Sequence, residues 1–177
     1  MRARKTLIAA AACAFAFVPA ASATAGSGPA PAPEKQRSAA GEKSTAPSAA
    51  GNPRSAKARA AGVCPDAYQI GTTAYVDRGG AHIASVKQFY SPQCDENYGY
   101  LWVWDSFRNT TGDYDVSTGI YSYSRDEYVG KRSWTNSNGQ EYWSNPADTA
   151  DECTAAVGAV RKPGDPLPNQ AATGKRC

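Results

Sequence analysis

The sequence predicts an all-β fold, a small antiparallel β-sandwich or barrel with two disulfides, preceded by a disordered arm. Three observations support this prediction. From residue 63 onward, β-branched and aromatic runs alternate with turn residues, with no long helical period between them. All four Trp and all ten Tyr lie in this part of the chain. The same part holds four cysteines, at positions 64, 94, 153 and 177.

The chain divides into residues 1–23, 24–62 and 63–177. Basic residues at the start, an apolar run over 7–18 and the small residues Ala21-Ser22-Ala23 have the pattern of a secretory signal peptide. We therefore expect cleavage after Ala23 and a secreted, extracellular protein without a membrane span. Residues 24–62 are rich in Ala, Ser, Pro, Gly and Lys and contain no aromatic residue, so they predict a disordered arm.

Charge is divided unevenly between these segments. Residues 24–62 hold six Lys or Arg against two Glu, a net charge of +4, whereas residues 63–177 hold ten basic against fourteen acidic side chains, a net charge of −4. The basic pI of the whole chain therefore does not indicate a nucleic-acid-binding domain. The arm is either a solvated spacer or a recognition segment that orders on a partner.

Turn residues divide the predicted domain into six strands. The predicted strands are Ala67–Val76, His82–Tyr90, Tyr98–Phe107, Val116–Ser124, Tyr128–Trp134 and Thr154–Val160. Residues 146–160 also carry helix signals, because Asp148 or Thr149 could cap a helix there. The sequence does not decide between strand and helix for that segment.

The stretch YGYLWVWDSF, residues 98–107, holds the densest aromatic pattern. Alternation along a strand puts one row of aromatic side chains on one face and Leu101 with Val103 on the other. That row is Tyr98, Tyr100, Trp102 and Trp104. The domain has two Leu, three Ile and no Met, so aromatic residues are expected to fill much of its core. The alternative is an exposed aromatic platform that binds a ligand.

The four cysteines of an exported domain predict two disulfides. Three pairings are open, and we favour Cys64 with Cys94 and Cys153 with Cys177. Each bridge then closes a loop of about 25 to 30 residues and stabilises the fold by about 3 to 4 kcal/mol in the chain-entropy model. The chain has one His and no C-x-x-C pair, so no metal site is predicted.

No catalytic motif stands out. His82 is the only histidine, and the sequence contains no phosphate-binding glycine loop, G-x-S-x-G or H-E-x-x-H motif. Pairs of acidic residues such as Asp113 with Asp115 fall in predicted turns, where carboxylates usually solvate loops. We expect a protein that is not an enzyme and needs no cofactor.

Residues 86–94, VKQFYSPQC, followed by the aromatic stretch up to Trp104, resemble a secreted actinobacterial family classed as a domain of unknown function. Its hallmark is an apolar strand ending in Tyr-Ser-x-x-Cys, with a Trp shortly downstream. The resemblance implies secretion but no particular chemistry.

These observations favour a secreted, non-catalytic binding module or adapter that recognises another extracellular protein. The expected partner-binding residues lie in the arm next to the domain and on the domain surface. They are Arg54, Lys57 and Arg59 in the arm with Val63 directly after it, and Tyr121, Tyr123 and Trp134 on the surface. The alternatives are a module that binds carbohydrate or cell-envelope glycan, and a secreted protease inhibitor whose reactive loop is residues 136–140. No nucleic-acid partner is expected.

Overall fold

The computed structural model describes residues 44–177, and the predicted signal peptide and residues 24–43 of the predicted arm lie outside it. Eight strands and two short helices are described. They are α1 (Ala56–Ala60), β1 (Tyr68–Arg78), β2 (Ala81–Ser91), β3 (Glu96–Val103), α2 (Asp105–Thr111), β4 (Tyr114–Ser122), β5 (Glu127–Ser137), β6 (Glu141–Trp143), β7 (Thr154–Arg161) and β8 (Asn169–Ala172). No helix within these residues is long and apolar enough to cross a membrane.

The strands form two antiparallel four-stranded sheets. The first sheet has the order β1-β2-β3-β6, and the second has the order β5-β4-β7-β8. All six predicted strands are present, and residues 146–160 contribute β7 rather than a helix. The fold is all-β, as the sequence predicts.

The aromatic strand is shorter than predicted. β3 ends at Val103, and Trp104 becomes the residue before α2. The backbone carbonyl of Trp104 accepts bonds from the N–H groups of Phe107 and Arg108, and this turn ends the alternation. Trp104 therefore does not continue the row of Tyr98, Tyr100 and Trp102.

Both faces of β3 are buried. Leu101 and Val103 face the second sheet and pack in the core between the two sheets. The opposite side of β3 belongs to a second apolar cluster on the outer face of the first sheet, which contains Tyr98, Tyr100 and Trp102. The aromatic row is therefore core, as the scarcity of large aliphatic residues predicts.

Residues 44–63, called the strap below, cover this outer cluster. Within the strap, α1 begins after Ser55, whose side chain accepts a bond from the N–H of Ala58, and Ala58 is fully buried. The prediction that the disordered arm extends to residue 62 is therefore wrong for residues 44–62. Those residues are mainly small, and the backbone at Gly51 lies close against the ring of Phe89.

Two disulfides join Cys64 to Cys94 and Cys153 to Cys177, which confirms the favoured pairing. The first bridge fixes the C-terminal end of the strap to the turn between β2 and β3. The second bridge holds the C-terminal tail beside the start of β7, where Thr154 and Arg176 exchange backbone hydrogen bonds.

Candidate functional site: the outer face of the second sheet

The outer face of the second sheet carries a cluster of tyrosines at one end. Tyr121 of β4 lies opposite Tyr128 of β5 in the strand register, with ring centroids 5.4 Å apart and planes at 67°. Tyr123 follows β4 and meets the Tyr121 ring at 5.1 Å and 89°. The three rings thus stand edge to face, the arrangement that aromatic quadrupoles favour.

These rings wall a cavity of about 320 Å³, called the tyrosine pocket. The other lining residues come mainly from β7 and β8 and are mostly small and apolar, namely Ala155, Val157, Gln170, Ala171 and Ala172. Tyr123 and Tyr128 are 44% and 45% exposed. Cavities of this size with aromatic walls and few polar groups are typical of ligand and anchor sites.

Two lysines lie over the rings. The Lys131 Nζ is 5.0 Å from the centroid of the Tyr128 ring, and the Lys175 Nζ is 4.7 Å from that of Tyr123. Neither lysine forms an ion pair within residues 44–177. The Tyr121 hydroxyl donates to the Asp126 carboxylate, which raises the pKa of Tyr121. The rim therefore carries two lysine cations without ion-pair partners in the described residues, together with the Asp126 carboxylate beside Tyr121.

The tyrosine pocket continues along β4 as a groove. A cavity of about 90 Å³ shares Tyr128, Val157 and Gln170 with it, and this cavity shares Ser117, Ala159 and Pro168 with a further one of about 260 Å³. The outward positions of β4 that follow this line are Asp115, Ser117, Gly119 and Tyr121. We call the whole series the outer groove. Its length along β4 is about 20 Å, at about 3.3 Å per residue.

An ion pair occupies the far end of the outer groove. Arg161 of β7 donates to Asp115 of β4 through Nε at 3.0 Å and also through Nη2. The bond from Arg161, followed by one from the backbone N–H of Asn136, lowers the pKa of Asp115. The unpaired charge of the outer groove is therefore concentrated near the tyrosines.

The structure brings together two of the three surface residues predicted from the sequence. Tyr121 and Tyr123 line the tyrosine pocket, whereas Trp134 lines the cavity of about 260 Å³ farther along the outer groove, and its partly buried ring packs against the core between the sheets, 4.9 Å from that of Tyr142. A bulge in β5 adds one residue, because the step from Val129 to Arg132 in β5 pairs with the shorter step from Ile120 to Thr118 in β4. Gly130 lies in this bulge and has a φ of 63°. The extra residue reverses the alternation, so Trp134 turns inward although Tyr128 faces outward.

The predicted arm residues lie elsewhere. Lys57 and Arg59 are exposed on and beside α1, against the outer face of the first sheet, on the opposite side of the sandwich from the tyrosine pocket. Arg54 is also exposed. Val63, in contrast, is buried at 5% exposure in the cluster below the strap, so it is not presented at the surface.

Sequence reasoning missed Tyr128, Lys131 and Lys175 as members of this site. Tyr128 could have been identified from the sequence, because the hairpin turn between β4 and β5 places it opposite Tyr121. Lys175 had none, since the Cys153–Cys177 bridge sets the position of the tail.

Other groups of reactive side chains are structural or exposed. Cys64, Cys94 and Glu96 lie within 4.8 Å of one another, but both sulfurs are in the disulfide and are not free to bind a metal. The His82 Nδ1 bonds the Asp77 carboxylate, and each side chain is 61% exposed.

Comparison of the chain with protein-family models, with curated proteins and with solved structures finds no match. The family resemblance of residues 86–104 therefore stays a prediction.

Proposed function

We propose that this protein is a secreted, non-catalytic binding module that recognises another extracellular protein through the outer groove of the second sheet. The observation that carries the proposal is the tyrosine pocket, a concave apolar site walled by exposed tyrosines and rimmed by unpaired lysines. Tyrosines at a concave site are typical energetic centres of protein interfaces. The two disulfides are compatible with an extracellular protein.

The chemistry of the pocket specifies an anchor side chain. Ala155, Val157, Ala171 and Ala172 provide apolar contacts, so the occupant should be a large apolar or aromatic side chain. The positive charge of Lys131 and Lys175 favours acidic residues beside that anchor, since opposite potentials across an interface speed association. The partner is then an acidic segment with one apolar anchor, lying along the outer groove.

The geometry of the rings favours protein over glycan at this site. Sugar rings stack on broad aromatic faces that are open to solvent, whereas here the rings stand at 89° and 67° to one another. In addition, lysine cations lie over the faces of Tyr123 and Tyr128. The pocket therefore suits a single inserted side chain better than a row of sugars.

The protease-inhibitor alternative has less support. In the segment 136–140, the Gly139 carbonyl accepts bonds from the hydroxyls of Tyr114 and Tyr142, and the Asn138 carbonyl accepts from Arg108. A substrate-like reactive loop needs its backbone carbonyls free to pair with the protease.

The proposal is tested by capture with matched variants. The chain from residue 24 is immobilised and exposed to secreted proteins, and the proteins retained are then measured individually for affinity. Tyr121→Ala and Tyr123→Ala should each weaken the specific interaction about tenfold, equivalent to about 1.4 kcal/mol. Tyr68→Ala is the control, because Tyr68 is 52% exposed on the first sheet. If both pocket variants bind every retained protein as the wild type does, the proposal fails.

Charge reversal provides a second measurement. Lys131→Glu should slow association and reduce its dependence on salt concentration. Truncations that test the arm should stop at residue 43, because residues 44–63 form part of the fold. Arg54, Lys57 and Arg59 remain predicted contacts of a partner, and replacing them tests that prediction separately from the pocket.

A further inference from the structure

A second cavity lies on the opposite side of the sandwich, beside the strap-covered face of the first sheet. It has a volume of about 390 Å³ and is lined by Tyr75 of β1, His82 of β2, and Trp104, Asp105 and Ser106 at the start of α2. We call it the aromatic slot. None of its residues belongs to the outer groove.

Three aromatic rings define the slot. The rings of Tyr75 and His82 are stacked, with centroids 4.5 Å apart and planes at 25°. Tyr75 is 46% exposed, and the side chain of His82 is 61% exposed. The His82 Nδ1 also bonds the Asp77 carboxylate. Trp104 contributes a third ring, packed at its base against the cluster below the strap.

Polar groups converge on the same cavity. Asp105 and Ser106 contribute a carboxylate and a hydroxyl from the first turn of α2. The indole N–H of Trp104 is buried and has no hydrogen-bond acceptor within the described part of the chain. This nitrogen is closed to solvent, so it does not reach a ligand in the open cavity, and the polar groups of the slot are those of Asp105 and Ser106.

The charges of the slot do not favour an anionic ligand. Asp105 accepts bonds from Arg108 Nη1 and Gln140 Nε2, each at 2.9 Å, and Asp77 bonds His82, so both carboxylates beside the slot already have partners. This balance differs from that of the tyrosine pocket, where two lysines are unpaired. The aromatic slot therefore suits a neutral, hydroxyl-rich ligand.

We propose that the aromatic slot binds a neutral saccharide of pyranose units. The apolar C–H face of a sugar ring packs on an aromatic ring, and its hydroxyls donate to carboxylates and accept from N–H groups. The exposed stack of Tyr75 on His82 provides the first contact, and the polar side chains of Asp105 and Ser106 provide the second. This site is independent of the proposed protein-binding groove.

Titration with defined sugars tests the slot. The chain from residue 24 is titrated with a β-1,4-linked hexamer of N-acetylglucosamine and with a linear glucose hexamer, and binding is followed by tryptophan fluorescence and calorimetry. At least one hexamer should bind and change the tryptophan emission. Tyr75→Ala should weaken that binding about tenfold, or about 1.4 kcal/mol, and Ser106→Ala should weaken it because the hydroxyl is lost.

Matched controls separate the two sites. Tyr68→Ala changes an exposed tyrosine of the same strand outside the slot and should bind sugar as the wild type does. Tyr121→Ala, in the tyrosine pocket, should also leave sugar binding intact. Should Tyr75→Ala reduce the unfolding midpoint, His82→Ala replaces it, since the His82 side chain is mostly exposed.

Three results would overturn the proposal. The first is that neither hexamer binds at concentrations up to about 10 mM, which corresponds to a binding free energy weaker than about −3 kcal/mol. The second is sugar binding that neither slot variant changes. The third is sugar binding that Tyr121→Ala abolishes, which would place the glycan site on the second sheet and would also remove the argument for protein at the tyrosine pocket.

Discussion

Tyr100 provides a direct test of the conclusion that the aromatic row is core rather than a binding platform. Its side chain is fully buried, and its ring lies 4.5 Å from that of Trp143 and 5.9 Å from that of Phe89. Its hydroxyl donates a hydrogen bond of 2.6 Å to the backbone carbonyl of Ser48 in the strap. We expect Tyr100→Ala and Tyr100→Phe to separate these two contributions.

The packing of the ring should be the larger contribution. Removing a fully buried aromatic side chain costs about 3 to 5 kcal/mol, because the transfer free energy is lost and a cavity remains. Tyr100→Phe keeps the ring and removes the bond to Ser48, which costs about 0.5 to 1.5 kcal/mol, since water can reach the half-buried Ser48 carbonyl. The expected order of stability is therefore wild type, Tyr100→Phe, then Tyr100→Ala.

Urea unfolding of the disulfide-bonded chain measures these differences. With a slope of about 1 to 3 kcal/mol per M, Tyr100→Ala should lower the midpoint by about 1 M or more. Tyr68→Ala, which removes a 52% exposed ring, should change the stability by no more than about 0.5 kcal/mol. If Tyr100→Ala unfolds at the same urea concentration as Tyr68→Ala, the aromatic row is not core and the reasoning is refuted.

Three further predictions concern the same fold. Burial raises the pKa of Tyr100, so the folded state keeps this phenol protonated at a pH where the unfolded chain ionises. The free energy of unfolding should therefore fall as pH rises above about 10. Urea midpoints measured from pH 8 to 11 should fall less steeply for Tyr100→Phe than for the wild type. A Cβ at Gly158 would lie 2.6 Å from the buried Val86, so Gly158→Val should cost about 1 to 3 kcal/mol, measured by the same unfolding transition. Ser55→Ala removes the cap of α1 and should cost about 1 kcal/mol, and an unchanged midpoint would mean that α1 does not stabilise the domain.

The sheets could be predicted from the sequence because their signals are local. Each strand shows β-branched or aromatic alternation between turn residues, and the two apolar faces of the stretch 98–103 indicate a strand buried on both sides. The disulfide pairing was also accessible, since the two favoured bridges close short loops. β6 and β8, with three and four residues, are too short to show a periodic pattern.

The strap could not be predicted because its stability comes from its surroundings. Residues 44–63 contain mainly small residues, which by composition indicate disorder. In the folded domain, small size is what allows close packing on the aromatic face, since a Cβ at Gly51 would lie 2.3 Å from the ring of Phe89. A segment that buries little surface of its own becomes ordered because it covers large rings on another element.

The candidate site was only partly predictable, for a geometric reason. The alternation of side chains along a strand predicts which face each residue occupies only until a bulge adds one residue. The bulge at Gly130 turns Trp134 toward the core between the sheets. The sequence contains Gly130 but does not reveal where the partner strand shifts its register. The contribution of Lys175 depends on a disulfide that closes over 24 residues.

Exposure alone does not distinguish the tyrosine pocket from the rest of the surface. Tyr68 is more exposed than Tyr123 or Tyr128, yet it lines none of the cavities described here. What distinguishes the pocket is the coincidence of exposed rings, a small apolar floor and the unpaired charges of Lys131 and Lys175. Apart from Ala171, which packs against the core between the sheets, the residues of the pocket lie outside both apolar clusters. We propose that the convergence of these three features at one end of the outer groove serves recognition of a partner.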